Sequence, residues 1–190
     1  RRACAVRTKE GAAEARARSV ASVVATMAQT ATIYRLHLQL SDVDRGVYAA
    51  GANYKKGDFS LGAINYYSDD IINIFYTEGK YAWSLSDDLK LGIAAQFTDQ
   101  TSVGDELLRG TDFASQQWGA KADLTYKRGL FSFAYTSASG DTNMQNPWSG
   151  FPGYTSVQVE DFNRAGENAI MYRFGYGVAQ VPGLSFYALY

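Results

Sequence analysis

The sequence predicts an all-β protein, an antiparallel up-and-down transmembrane β-barrel, on three observations. Aromatic residues and glycine are frequent and proline is scarce, with 14 Tyr, 10 Phe and 18 Gly against 3 Pro in 190 residues. That composition suits many short strands better than packed helices. From about residue 46 onward apolar and polar residues alternate, the period-two mark of strands with two unlike faces. Finally, every second connection between the alternating runs is tight, and the long ones fall only on the other side. Short turns at one end and longer loops at the other are what a membrane-crossing meander needs.

The elements follow in chain order. Weakly alternating strands are expected at 46–55, 59–67 and 71–83. Asp88–Thr98 is the clearest strand: Leu89, Leu91, Ile93, Ala95 and Phe97 fall on one face, and Lys90, Gly92, Ala94, Gln96 and Thr98 on the other. Trp118–Tyr126 repeats the pattern, with Trp118, Ala120, Ala122, Leu124 and Tyr126 opposite Gly119, Lys121, Asp123 and Thr125. In Leu130–Ser137, Phe131, Phe133 and Tyr135 oppose Ser132, Ala134 and Thr136. In Ala169–Gly177, Ile170, Tyr172, Phe174 and Tyr176 oppose Met171, Arg173 and Gly175, and a last weak strand occupies 184–190. The apolar face repeatedly begins or ends with Trp or Tyr, as rings at headgroup depth would. About eight strands of roughly 9–11 residues match a tilted bilayer crossing. The competing reading is a secreted soluble β-sandwich that binds carbohydrate through exposed aromatics; a need for detergent on extraction separates the two.

Tight turns are expected at Lys55–Asp58, Ser84–Asp88, Lys127–Gly129 and Ala179–Gly183. On the other side 99–114 and 139–167 are long and polar, while Ser68–Asp70 is short. The 139–167 segment exceeds a plain connector, and ordered loops of such length are usually functional.

The chain changes character near residue 40. Residues 1–40 carry six Arg and one Lys against two Glu, with one aromatic, whereas 41–190 carry 11 Lys+Arg against 17 Asp+Glu, with 26 aromatics. Two segments follow: an Arg/Ala-rich 1–40 with no assigned fold, and a partial barrel over 41–190. The first reads as a leader (Arg16 and Arg18 before Val20–Ala28), an amphipathic helix over about Ala12–Met27, or sequence foreign to the fold. Its bias and abrupt end favour the third.

Function classes narrow by elimination. A net charge of −1 leaves no basic footprint for nucleic acid. Cys4 is the only cysteine and His37 the only histidine, which argues against a disulfide framework, a metal site and a Ser-His-Asp device. The chain is read as no enzyme and without a cofactor. The pairs Asp69/Asp70 and Asp87/Asp88 sit in turns and read as solvated caps. No run of about 18 apolar residues exists to form a membrane-spanning helix, which leaves barrel strands open.

Three segments carry a specific resemblance: DRGVYAAGANYKKGDFSLGAINYYSDDIINIFYTEGKYAW, LKLGIAAQFTDQTSVGDELL and, above all, MQNPWSGFPGYTSVQVEDFNRAGENA. Over about 43–190 the chain resembles the porin D (OprD-like) family of substrate-specific outer-membrane porins. The resemblance implies a barrel of about eighteen strands around an aqueous lumen, so further strands are expected before residue 41 and after Tyr190. A genuine C-terminal strand ending on an aromatic is the competing reading. The resemblance implies the outer membrane of a Gram-negative bacterium, surrounding lipid, and small water-soluble solutes bearing carboxylates, basic amino acids among them, as partners. Homo-oligomerisation stays open. The lumen-facing charged candidates are Lys80 (with Glu78, if 71–83 keeps its register), Lys90, Lys121, Asp123 and Arg173. In the 139–167 loop, which by resemblance narrows the pore, Pro147, Gly150, Pro152 and Gly153 would stiffen the turns. Trp148, Phe151 and Tyr154 would anchor it, while Tyr154, Thr155 and Ser156 offer hydroxyls and Glu160, Asp161 and Arg164 offer charge. For Asp161 and Arg164 a mutual pair fixing the loop base is the favoured role.

Overall fold

The computed structural model describes residues 45–148 and 152–190, so the expectations for 1–40, Gly150 and Phe151 lie outside the described residues. The chain forms β1 (Tyr48–Lys56), β2 (Phe59–Ser68), β3 (Ile72–Ser84), β4 (Leu89–Thr101), β5 (Ala114–Tyr126), β6 (Gly129–Gly140), β7 (Asn168–Gly177) and β8 (Ser185–Leu189). Each pairs antiparallel with its chain neighbour, giving one eight-stranded sheet in the order β1 to β8. The architecture is all-β. A sandwich would lay a second sheet against the apolar face, and there is none among the described residues.

Several strands run further than their alternation. β4 continues to Thr101, β5 starts at Ala114 and β6 reaches Gly140, where loop had been expected at 99–114 and from 139. At these ends both faces are polar (Asp99 beside Gln100, Gln116 beside Gln117), so the hydrophobic period vanishes while the backbone ladder continues. β8 is shorter than the expected 184–190: Leu184 closes the preceding turn, its amide donating to the Val181 carbonyl.

Opposed residues of an antiparallel ladder share a face, so the register assigns every side chain. One face carries Phe75, Tyr81, Trp83, Leu91, Ile93, Trp118, Leu124, Phe131, Phe133 and Tyr172. It is open: Trp118 is 48% exposed and Phe174 56%. The opposite face buries Gln96, Thr98, Gln100, Ser115, Gln117 and Thr136. Rings gather near both ends of the apolar band, with Tyr81 against Trp83 (centroids 4.4 Å apart) toward the tight turns and Trp118 against Tyr135 (5.2 Å) toward the loops.

A cluster of buried apolar side chains lies at the loop end, where Ile71, Ile72 and Phe113 pack with Ile74, Leu108 and Trp148. Asp70 organises this end and is no solvated cap. It adopts φ 60°; its carboxylate accepts from Arg45 (2.9 Å) and from the Asp105 amide (3.2 Å). Its carbonyl accepts from the Leu107 amide (2.7 Å). One turn residue thus ties the start of the described chain to the β4–β5 loop.

Candidate functional site: the loop-covered inner wall

Apart from Lys90 at the tight-turn end of β4, the charged side chains in the middle of the buried face sit on alternate strands. β3 carries Glu78 and Lys80, β5 carries Lys121 and Asp123, and β7 carries Arg173. The register runs Lys80, Ala94, Lys121, Ala134 along one rung and Gly92, Asp123, Ser132, Arg173 along the next. Small residues on β4 and β6 leave room between the long charged ones. With strands about 4.8 Å apart, charged residues on β3, β5 and β7 are roughly 10 Å from one another at the backbone.

Each lysine of this belt has a carboxylate two residues away on its own strand and face. Lys80 Nζ lies 2.7 Å from Glu78 Oε2, and Lys121 Nζ lies 3.1 Å from Asp123 Oδ2. The Arg173 guanidinium stacks 5.3 Å from the centre of the Tyr187 ring. Among the described residues neither Arg173 nor Lys90 has a carboxylate in salt-bridge range. Strand β3 does keep the register that directs Glu78 and Lys80 inward.

The described parts of the β6–β7 loop, residues 141–148 and 152–167, fold back over the upper half of this wall. Neutral side chains of the wall hold it by its backbone. The Gln100 carboxamide donates to the Gln145 carbonyl (2.9 Å) and accepts from the Gln145 amide (2.7 Å). Ser115 Oγ donates to the Thr142 carbonyl (2.7 Å), and the Gln117 carboxamide donates to the Phe162 carbonyl (3.2 Å). Gly119 fits between two wall side chains of the neighbouring strands, since a Cβ there would lie 3.1 Å from Thr136 Cγ2 and 3.2 Å from Gln96 Cγ. A cavity of about 410 Å³ remains between the loop and β2–β4, lined in part by Tyr66, Tyr76, Thr98 and Trp148.

Tyr154 joins loop to charge. Its hydroxyl donates to Glu78 Oε1 (2.7 Å), and Lys121 Nζ lies 5.3 Å from the centre of its ring. Burial, then the hydrogen bond and charge of Glu78, push this phenol well above the usual tyrosine range. It therefore remains a donor.

The other loop candidates are placed differently from expectation. Thr155 is buried against the wall, its hydroxyl 2.6 Å from Thr136 Oγ1. The Ser156 hydroxyl donates to the Asp161 carbonyl (3.0 Å). Both hydroxyls are engaged in holding the loop. The expected Asp161–Arg164 pair does not form. Arg164 instead bridges Glu160 (2.8 Å) and Glu167 (3.2 Å), and Asp161 accepts from the Asn146 carboxamide (3.0 Å). A cation with two acids within one turn's reach is satisfied locally. Trp148 anchors the loop as expected, 6.4 Å from the Tyr66 ring and against the Ile71/Ile72/Phe113 cluster. Sequence reasoning missed Gln100, Ser115, Gln117 and Thr136. The available signal was a run of neutral hydrogen-bonding residues at period two on the face opposite the aromatics.

A wall of this kind, apolar outside and polar inside with an inward loop, is matched at the level of sequence. The profile described as "outer membrane porin, OprD family" matches residues 15–190. The chain belongs to the OprD family of outer membrane porins. The match begins well before residue 43, the start of the resembling segments. No curated protein sequence matches the chain at comparable stringency. Among solved structures, Pseudomonas aeruginosa OprD is similar with a TM-score of 0.70 and 24% identity, over 76% of this chain and 40% of that one. Acinetobacter baumannii OccAB2 gives a TM-score of 0.70 at 20% identity, over 78% of this chain and 38% of that one. Pseudomonas aeruginosa OccK2 (OpdF), solved in complex with glucuronate, gives 0.71 at 19% identity, over 83% and 43%. These likenesses show the fold. The chain spans about 40% of the length of the OprD structure it matches. Membership places this porin-family chain in the outer membrane of Gram-negative bacteria, in a family of channels rather than enzymes.

Proposed function

We propose that the protein is part of an outer-membrane channel for passive, substrate-selective diffusion of small carboxylate-bearing solutes such as basic amino acids. The observation that carries this reading is the charged belt on β3, β5 and β7. Its ion pairs are partly exposed: Lys80 and Glu78 side chains are 54% and 20% exposed, and Lys121 and Asp123 31% each. Pairs this open contribute only about 0–1 kcal/mol, so a passing carboxylate can exchange with Glu78 or Asp123 at little cost. A released acid is then free to meet the solute's amino group. Passage needs such weak, repeated binding, strong enough to admit a solute and loose enough to release it. Arg173 and Lys90, with no carboxylate partner among the described residues, add attraction near the tight-turn end. In support, the structurally similar OccK2 was solved with glucuronate, a carboxylate solute.

Single-channel conductance of the whole protein in a planar bilayer tests this. Discrete steps interrupted by glucuronate or arginine, and not by a neutral sugar of similar size, are expected. Folded, heat-modifiable protein without conductance overturns the channel reading, and equal interruption by the neutral sugar overturns carboxylate selectivity.

A further inference from the structure

The lipid-facing side of the sheet carries a groove that the channel reading does not use. It lies at the tight-turn end, between the β5–β6 turn and the β7–β8 turn, with a volume of about 560 Å³. Tyr126, Phe131, Phe174 and Tyr176 line it from the outer face, together with Lys127 and Arg128 of the β5–β6 turn. We propose that this groove is a binding site for one anionic phospholipid of the periplasm-facing leaflet, the phosphate held by Lys127 and Arg128 and the first part of the acyl chains lying over the aromatic rings.

Orientation comes first. The short turns of an outer-membrane barrel face the periplasm, so the groove meets the headgroups of the inner leaflet. Aromatic rings at this depth have an apolar body against the acyl chains and a polar edge toward the headgroups. The charge is placed by the turn itself. Lys127 takes a positive φ of 51°, and its ammonium lies 5.4 Å from the centre of the Tyr126 ring. Because Tyr126 belongs to the outer face, that contact keeps the cation on the lipid side of the wall. Among the described residues Asp88 is the one acid in salt-bridge range, 3.8 Å away, and both side chains are 58% exposed. So long and open a pair yields readily to a phosphate that offers several oxygens. Arg128 adds a planar fork suited to phosphate, and its carbonyl is fixed by the Gly177 amide (3.0 Å), which locks the two turns side by side. Two cations over an aromatic groove complement an anionic headgroup above acyl chains.

The test is lipid retention by the folded protein in detergent micelles, titrated with phosphatidylglycerol or phosphatidylcholine and counted by native mass spectrometry. Wild-type protein should retain one phosphatidylglycerol in preference to phosphatidylcholine. Lys127→Gln with Arg128→Gln should weaken that retention on the order of tenfold, at a few-fold per cation near a membrane surface. Lys55→Gln with Lys56→Gln, at another short turn, should leave it unchanged. Equal retention of both lipids overturns the headgroup claim; equal loss in the two double variants reduces it to general surface charge and overturns the site. Should the first double variant fail to fold, Arg128→Gln alone gives the same readout. Conductance is independent of this result, so failure of the lipid site and failure of the channel are told apart.

Discussion

On strand β4, Ile93 points away from the wall and is 44% exposed, whereas Gln100 points toward it and is 1% exposed. The same inversion holds across the sheet, with Trp118, Phe131 and Ile170 open on one side and Gln117, Ser132 and Thr136 buried on the other. In water this arrangement would be untenable, since the apolar face would lose the burial that stabilises a sheet. Against acyl chains it is the stable one, provided that every backbone polar group is paired in the ladder. The inner face in turn divides in two. Its upper half is neutral and hydrogen-bonds a loop; its lower half carries the partly exposed charges. Burying charge beneath the loop would cost far more than burying amides whose partners are in place. Neutral residues therefore lie where water is excluded, and charges where it is admitted.

The most direct way to break the contrast is to place a charge on the outer face. Ile93 sits midway along the lipid-facing part of β4, opposite Tyr81 and Ala122. Ile93→Arg should cost about 2–4 kcal/mol, the depth-dependent penalty of a cation near the bilayer midplane. Ala82→Arg, on the inner face, should stay within about 0.5 kcal/mol. Equilibrium unfolding by urea in lipid vesicles measures both. Equal costs on the two faces would mean that Ile93 does not meet lipid.

Next in size is the neutral half of the inner wall. Gln100→Leu removes both hydrogen bonds to Gln145 and leaves a buried amide and carbonyl without partners. At about 1–3 kcal/mol for each orphaned group, loop docking should weaken by roughly 2–3 kcal/mol after local rearrangement. The expected readout is faster protease cleavage within residues 141–167 while the barrel stays heat-modifiable. Unchanged cleavage would mean that the other wall contacts suffice.

The charged half is tested through selectivity. Lys121→Glu sets a second acid beside Asp123 and removes the cation over the Tyr154 ring. At the separation of a contact ion pair, one such charge is worth about 1 kcal/mol in water, so reversal, a change of two charges, should cut carboxylate block frequency by roughly thirtyfold. Cation conductance should rise in the same variant. A Lys121→Glu channel with unaltered carboxylate block would move the recognition site elsewhere.

How much of this was legible in the sequence differs by region for a physical reason. Between the aromatic girdles lipid and lumen impose opposite demands, so Leu89 to Thr98 and Trp118 to Tyr126 betray their faces residue by residue. Parity alone directed Lys80, Lys121, Asp123 and Arg173 inward. Past the girdle both sides are polar, and the extensions to Thr101, Ala114 and Gly140 left no alternation to read. The self-pairing of Lys80 with Glu78 and of Lys121 with Asp123 follows from their i,i+2 spacing on one face and was available to inspection. The loop has no period, so nothing in its sequence announced that Thr155 turns into the wall or that Arg164 chooses Glu160 and Glu167 over Asp161.

Tyr154 ties the loop to the charged half of the inner wall, and its change should give the smallest effect. Tyr154→Phe keeps the ring under Lys121 and deletes the hydroxyl that donates to Glu78. A partly exposed hydrogen bond of this kind is worth about 1 kcal/mol. The loop should stay docked, with more frequent brief fluctuations in open-channel current. The contribution also has a pH signature. Because the phenol is held above its unfolded value of about 10, its stabilisation is complete below that pH. It declines as pH rises further, since the unfolded tyrosine ionises first. The stability difference between wild type and Tyr154→Phe should therefore be flat from neutral pH to about 10 and shrink above it. A difference that instead vanished on mild alkalinisation would mean that the hydroxyl is solvated and that the loop is held to the wall by Gln100, Ser115, Gln117 and Thr136 alone.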